Sequence, residues 1–428
     1  MPFISLYACL TVNAQPISPQ ILFADRLLPF VLGYRVNAAL MKGGGSLTYS
    51  AATSMHSKHV PKVLCVYASG QTYTSTVFEH VDSFRKYSRF EWFFLDYNEI
   101  EDDRLSLDCF DVIVVHYTVR LPYDQLTDSA VRKLAASSAQ KILFIQDEYD
   151  NTNVTKSIIK KAGFTVVFSV VPARSLAVVY PPEEFPSVKF VSNFTGYVPD
   201  QLSTLVGEPI PPSQRSLCIA YRGRPLPLRY GKLGMEKVQI GQEVQRYCRE
   251  RNISHDIAWG EEARIYGDDW YRFVCSARSM LGSESGSNVF DWDGTLHKRT
   301  EQFKKRNRSA SQNEVYQNVV ARCEIDGLMN QLSPRIFEMA AARTVMVLFE
   351  GRYSDVLTPY RHYLPLRKDF KNLDDIFAFL ERAEAVDELA DTAHRDIILS
   401  EDYSYSQFVH MVDGEIGELL STTDRAEK

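Results

Sequence analysis

Holding a phosphate requires fixed positive charge and free N–H groups, and three stretches in the second half of the chain can supply them. In Ser333-Pro334-Arg335-Ile336-Phe337-Glu338 a favoured N-cap residue precedes a proline pre-shaped for the first helical position, so a helix should start here. Its unpaired backbone N–H groups and positive dipole end suit an anion. Glu338, about one turn in, can hydrogen-bond vicinal ribose hydroxyls; a capped surface helix whose Glu complements the dipole is an equally good reading. Tyr221-Arg222-Gly223-Arg224 follows an apolar strand, with Lys232 and Lys237 close behind. Two arginines separated by glycine can approach a diphosphate with little backbone in the way, although a solvated basic loop is the commoner fate of such charges. Leu281-Gly282-Ser283-Glu284-Ser285-Gly286-Ser287 is a Gly/Ser loop suited to close backbone contact with a ligand.

Acids and bases stand elsewhere. His116 follows the strand Val112 to Val115, and Asp147-Glu148 follows Ile142 to Ile145. Both sit at carboxyl ends of expected parallel strands, the edge where ligands bind in such sheets. His116 can act as a base near neutral pH; a hydrogen-bonded structural histidine is the competing reading, and Asp147 and Glu148 are more often N-caps or loop acids than catalysts. Asp291-Trp292-Asp293-Gly294-Thr295 matches the DxDGT pattern of haloacid-dehalogenase-type phosphatases, with a nucleophilic first Asp and an acid/base second Asp. Only Val289-Phe290 precede it, where that chemistry needs a longer buried strand. Lys298 to Arg308 is densely basic: a solvated helix face, or a contact for an anionic membrane surface or phosphorylated lipid acceptor.

The elements that must position these residues alternate. Val63 to Tyr67, Phe90 to Leu95, Asp111 to Val115, Lys141 to Ile145 and Thr165 to Val170 are short apolar runs, the mark of strands buried on both faces. Helical stretches such as Thr76 to Tyr87 and Asp128 to Ser137 lie between them, which specifies a parallel sheet covered by helices. Val206 to Ser213, with three prolines, reads as an interdomain hinge. A second α/β series then opens at Leu217 to Ala220. It continues through expected helices at Lys237 to Arg251, Tyr271 to Leu281, Pro334 to Ala342 and Leu373 to Ala385, with a strand at Thr344 to Phe349. Ser406 to Leu420 is a last amphipathic helix.

The whole chain fits this plan. Its 428 residues are too many for one ordinary core and suit two α/β domains. A net charge of -6 argues against nucleic acid as the partner, and no run approaches the length of a membrane span. The seven scattered cysteines lack a CxxC pair and fit a reducing compartment without a zinc site. Met1 to Gln15 hints at a secretory signal but lacks the basic n-region. Ile21 to Tyr34 is apolar enough for a short interfacial helix, and residues 42–60 form a Gly/Ser/Thr-rich linker.

From about Lys62 to Phe408 the chain resembles group 1 glycosyltransferases, particularly a family-4-like bacterial subset. The resemblance rests on His116-Tyr117, Gln146 to Asp150, Thr195-Gly196-Tyr197-Val198-Pro199, the YRGR and GSESGS loops, and Ser333 to Glu338. It implies a GT-B fold: two Rossmann-like domains facing a central cleft, with the C-terminal helix crossing back. The expected division is 1-60 extension and linker, 61-208 acceptor-side domain, 209-395 nucleotide-sugar-binding domain, and 396-428 helix packing on the first domain. By the same likeness Glu338 is the ribose-binding second glutamate of the family's paired motif, and Arg222, Arg224 and Lys232 neutralise the donor diphosphate. The first glutamate is replaced by Asn330, for which Glu284 is a substitute, and the usual glycine after the helix is Arg343. The implied activity is transfer of a hexose-like sugar from a nucleoside diphosphate to a hydroxyl of a glycan or lipid-linked acceptor in cell-surface glycan synthesis, without cofactor or obligatory metal. Retention of configuration is expected. The site residues are then His116, Asp147 and Arg222 for catalysis, and Arg224, Lys232, Glu284, Ser285, Gly286, Ser333, Arg335 and Glu338 for the donor. The expected location is cytoplasmic, with peripheral contact at the inner membrane face through Lys298–Arg308. The competing functions are the Asp291/Asp293 phosphatase and a non-catalytic nucleotide- or glycan-binding protein on the same scaffold.

Overall fold

Runs of β-branched and aromatic residues become the centres of two all-parallel sheets in the computed structural model, which describes residues 60–72 and 75–426. The signal-like stretch, the Ile21 to Tyr34 segment and all but the end of the linker lie outside those residues. Asp102–Ser106 is a turn in which Arg104 pairs with Asp102 (2.6 Å).

The first sheet comprises β1 (Lys62–Tyr67), β2 (Glu91–Asp96), β3 (Val112–Val115), β4 (Gln140–Ile145), β5 (Val166–Ser169) and β6 (Lys189–Ser192), in the order β2-β1-β3-β4-β5-β6. Its inner strands are buried on both faces, as in the three valines and one isoleucine of β3, because helices cover each side. Those helices include α1 (Ser75–Tyr87), α2 (Asp128–Ala136) and α3 (Thr152–Ala162). Thr127 caps α2, its Oγ1 accepting from Ala130 N (3.1 Å).

The second sheet comprises β7 (Leu217–Arg222), β8 (His255–Ala258), β9 (Ala277–Gly282), β10 (Val345–Phe349) and β11 (Tyr363–Leu366), ordered β11-β10-β9-β7-β8. Its helices are α4 (Gly231–Glu250), α5 (Asp268–Ser276), α6 (Leu296–Arg306), α7 (Arg335–Ala341), α8 (Leu373–Leu380) and α9 (Ala383–His394). Strand order reverses between β1 and β3 in one sheet and between β7 and β9 in the other. At such switch points adjacent loops diverge and leave a crevice at the carboxyl edge.

The chain ends by returning to the first half. In α10 (Tyr405–Ala426), Tyr405, Phe408, Val409, Val412 and Ile416 recur at helical spacing and complete the core over β1, β3 and β4. Asp413 fixes the register, accepting from Ser88 Oγ (2.6 Å) and Arg89 N (2.8 Å). The two Rossmann-like halves and the helix crossing back are the GT-B arrangement the sequence leads one to expect.

Two local expectations need correction. Tyr271 to Leu281 is a helix only to Ser276; Ala277–Gly282 is a central strand paired with both β7 and β10. Its short apolar content satisfies either period, and pairing on two sides decides for the strand. The helix expected over Leu373 to Ala385 breaks after Leu380 and restarts at Ala383. The proline-rich stretch before β7 is bolted to the second half at its far end. Ser213 bonds Asp387 through N (2.9 Å) and Oγ (2.6 Å), and the buried Arg215 guanidinium donates to Ile210 O, Ala277 O and Ala342 O.

Candidate active site

A cavity of about 280 Å³ opens at the switch point of the second sheet. One side is the loop after β7, with Gly223 and Arg224; another is the loop after β9, with Ser283 and Ser285; the start of α7 gives Ser333 and Arg335. Lys237 of α4 reaches the same space, its Nζ donating to Glu284 O (3.1 Å). Desolvation and the neighbouring Arg335 charge push its ammonium down to about 8. Arg335 lies over the Trp270 ring, 4.9 Å from its centroid, and donates to Arg222 O (2.5 Å). Arg224, Lys237 and Arg335 thus bring three positive charges to one crevice whose floor is apolar Met280, Ile336 and Met339. Such a site suits a diphosphate joined to a less polar group.

Glu338 sits one helical turn beyond Arg335 and accepts from Trp270 Nε1 (2.7 Å). Burial raises its carboxyl above the usual range, against the Trp270 hydrogen bond and the Arg335 charge. Trp270, not Glu338 itself, lines the cavity. Of the residues expected at the donor site, then, Arg224, Ser285, Ser333 and Arg335 come together and Glu338 adjoins them.

The others do not join them. His116 is fully buried between the first sheet and α1; its Nε2 faces His80 Nδ1 (3.0 Å) and its Nδ1 faces Thr118 Oγ1 (3.0 Å). Desolvation, helped by His80, drives it well below the ordinary imidazole range, so it is a neutral core histidine rather than a base in contact with ligand. Asp147 is exposed in the first half, where it takes Arg120 (3.3 Å) and the Tyr149 hydroxyl (2.8 Å). Arg222 turns away from the crevice into a bidentate pair with Asp256 (2.8 and 2.9 Å) and over the Phe273 ring. Lys232 is exposed on Asp326 (3.0 Å), and Lys237 occupies the place assigned to it.

The Gly/Ser loop contributes differently from expectation. The Glu284 carboxylate is buried and accepts from Arg352 N (3.0 Å), Tyr353 N (2.9 Å) and the Asn330 amide. Its carbonyl, not its carboxylate, reaches the site by holding Lys237. Gly286, at φ +89°, is required because a Cβ would sit 2.1 Å from Met329 O. Gly223 likewise serves packing: a Cβ there would meet Lys237 O and the Tyr221 ring at 2.7 Å. It lets α4 approach β7 and so brings Lys237 to the crevice.

The phosphatase reading fails on geometry. Both Asp291 carboxylate oxygens accept from Leu296 N (3.1 and 3.2 Å), and Asp293 accepts from Thr295 N and Oγ1. Asp291 thus holds the first N–H of α6 and Asp293 the turn before it, and Val289-Phe290 belong to no strand of either sheet. Among the described residues no three His, Cys, Asp or Glu side chains cluster as a metal site, and no helix is long and apolar enough to cross a membrane.

Sequence reasoning named Lys237 only as a neighbour of the YRGR loop, without a place in the site, and missed Trp270. The available signal was Gly231 and Gly234, which obscure the start of α4 and hide that Lys237 lies on its second turn, facing β9.

No protein-family model matches the chain, and no curated protein sequence matches it. Solved structures do resemble it, at low identity. Staphylococcal TarM is 12% identical over 71% of this chain, with a TM-score of 0.39, and the chain spans about half (54%) of TarM's length. An alpha-glucosyltransferase solved with UDP and a 13-mer DNA is 10% identical, covering 85% of this chain and 99% of its own, TM-score 0.46. Anabaena Alr3699/HepE, solved with UDP, is 11% identical over 84% of this chain and 100% of its own, TM-score 0.43.

Proposed function

We propose that the second half binds a nucleoside diphosphate sugar and that the chain transfers the sugar to a hydroxyl acceptor. The observation that carries this reading is the convergence of Arg224, Lys237 and Arg335 on one crevice at the β7/β9 switch point. Three cations neutralise a diphosphate leaving group without a metal, and held in place beforehand they favour the transition state in which its charge grows. Glu338, oriented by Trp270, accepts from ribose hydroxyls, and Ser285 lies at the sugar end.

In the transfer, the acceptor oxygen bonds to the anomeric carbon while the bond from that carbon to the diphosphate oxygen breaks. The bonding pair leaves with the diphosphate, and on the retaining route the hydroxyl proton passes to it. The expected retention then proceeds without a covalent glycosyl-enzyme on Glu284, whose carboxylate is committed to Asn330, Arg352 N and Tyr353 N and is not free to attack. In this reading residues 209–395 hold the donor, and residues 61–208 supply one side of the space the acceptor enters.

The test is a melting-temperature screen of the full chain against UDP, GDP, CDP, TDP and ADP, each with and without EDTA. A rise with one nucleotide that survives EDTA and is lost in Lys237→Met is expected, since a ligand that binds only the folded state stabilises it. No rise with any nucleotide overturns the proposal. Binding without sugar transfer or hydrolysis would reduce the protein to a nucleotide-binding module.

A further inference from the structure

A second cavity, about 1330 Å³, is several times larger than the donor pocket and meets it at Leu226, which lines both. One of its faces is apolar: Leu226, Leu228, Met235, Val238 and the ring of Trp259, from the loop after β7, from α4 and from the end of β8. The facing wall is α6 and the turn after it, with His297, Lys304 and Arg308. The first half closes a third side with Tyr123, Asp150 and Asn151.

The charges along this groove are not equally available. Arg229 is committed to Asp150, which also accepts from Tyr123 Oη (2.8 Å). Lys304 pairs with Glu301 at 3.2 Å on the exposed helix surface, a pair of small worth in water. The Arg308 guanidinium makes no hydrogen bond or ion pair among the described residues. An apolar floor beside a wall where Lys304 and Arg308 flank Glu301 suits an amphipath better than a plain glycan, which has less use for the floor, or a simple anion, which has none for the length. Helix α6 alone runs about 16 Å at 1.5 Å per residue.

We propose that this groove is the acceptor site and takes an amphipathic acceptor, an apolar chain bearing a phosphate. The chain lies along Leu228, Met235 and Val238; the phosphate is held by Lys304 and Arg308; and the reacting hydroxyl lies at the Leu226 end, where the groove joins the donor pocket. This assignment rests on the donor reading above. It also gives Lys304 and Arg308 of the basic stretch a use within the site instead of on a bilayer.

Calorimetric titration of the full chain tests it with four probes: decyl phosphate below its micellar concentration, decyl maltoside, inorganic phosphate, and UDP. Decyl phosphate is expected to bind at least about tenfold tighter than the neutral glycoside or the bare anion. The double variant K304E/R308E and the single variant V238E should each weaken it by about tenfold, with UDP affinity unchanged within about twofold. Equal binding of decyl phosphate and decyl maltoside, or wild-type affinity in both variants, overturns the proposal. So does binding to phosphatidylglycerol vesicles without binding of monomeric decyl phosphate, which would make the basic stretch a membrane contact. UDP binding without decyl phosphate binding removes the acceptor groove and leaves the donor site standing. Decyl phosphate binding without UDP binding removes the donor site and keeps the groove as an anionic-amphipath site.

Discussion

The molecule has two switch points of the same topological origin, and among the described residues they are filled to different degrees. At the β1/β3 switch point the loops are laced together: Ala68 N donates to Thr118 Oγ1 (3.0 Å), and the rings of His116 and His80 fill the space among Tyr117, Phe84, Phe144 and Phe408. At the β7/β9 switch point the loops stand apart around a cavity edged with Arg224, Lys237 and Arg335. Topology therefore supplies the location for a ligand, and side-chain volume decides whether the location is a site or a core. A histidine at a strand's carboxyl end has both fates open to it; here aromatic packing from α1 and α10 chose the core.

The sharpest way to break that contrast is Lys237→Met. Removing a charge-assisted contact to a diphosphate should weaken nucleotide binding by about tenfold to a hundredfold, measured by calorimetry; unchanged affinity would take the diphosphate out of this crevice. His116→Ala should act on the other property, costing about 2–3 kcal/mol of stability through lost packing and an orphaned His80 nitrogen. Urea unfolding measures that cost, and nucleotide affinity should stay put. Lost turnover with full stability would restore His116 to catalysis.

Protonation separates the two regions as well. Burial lowers His80 to about 3, below its value in the unfolded chain, so the unfolded state binds the proton first as pH falls through about 6.5. Stability is then full above that pH and declines by about 1.4 kcal/mol per pH unit for this group down toward pH 3. His80→Leu should flatten that decline in melting temperature. At the open crevice the sign is opposite: Lys237 loses its charge as pH rises through about 8, so nucleotide affinity should fall across that range, and Lys237→Met should lose that fall. The smallest effect belongs to Lys232→Ala. Its exposed pair with Asp326 predicts nucleotide affinity within about twofold of wild type, which distinguishes the two lysines that sequence alone could not.

What could be read from the sequence follows the same physics. The central strands were legible because burial on both faces demands continuous apolar runs, as in Val112–Val115. Three of the strands that left no such run, Lys189–Ser192, His255–Ala258 and Tyr363–Leu366, lie at sheet edges, where one side is unpaired and Lys189, His255 and Pro365 are tolerated. The convergence of Arg224, Ser285, Ser333 and Arg335 on the β7/β9 crevice could be anticipated because they sit where strands end or a helix begins. Arg222 and Glu284 were misassigned because direction is decided by partners remote in sequence, Asp256 for one and Arg352 and Tyr353 for the other. The cap role of Asp291 depends on the turn into α6, which the DxDGT pattern does not reveal.

The return of α10 has a consequence for biosynthesis. The apolar surface over β1, β3 and β4 is completed by Tyr405, Phe408, Val409, Val412 and Ile416, residues translated after all eleven strands. During synthesis the half that emerges first must wait with that surface bare, while the half that emerges second already has its own helices to cover it. The ribosome therefore delivers the two cores in one order and the chain can close them in the other, and the waiting half is where a nascent-chain chaperone would be needed.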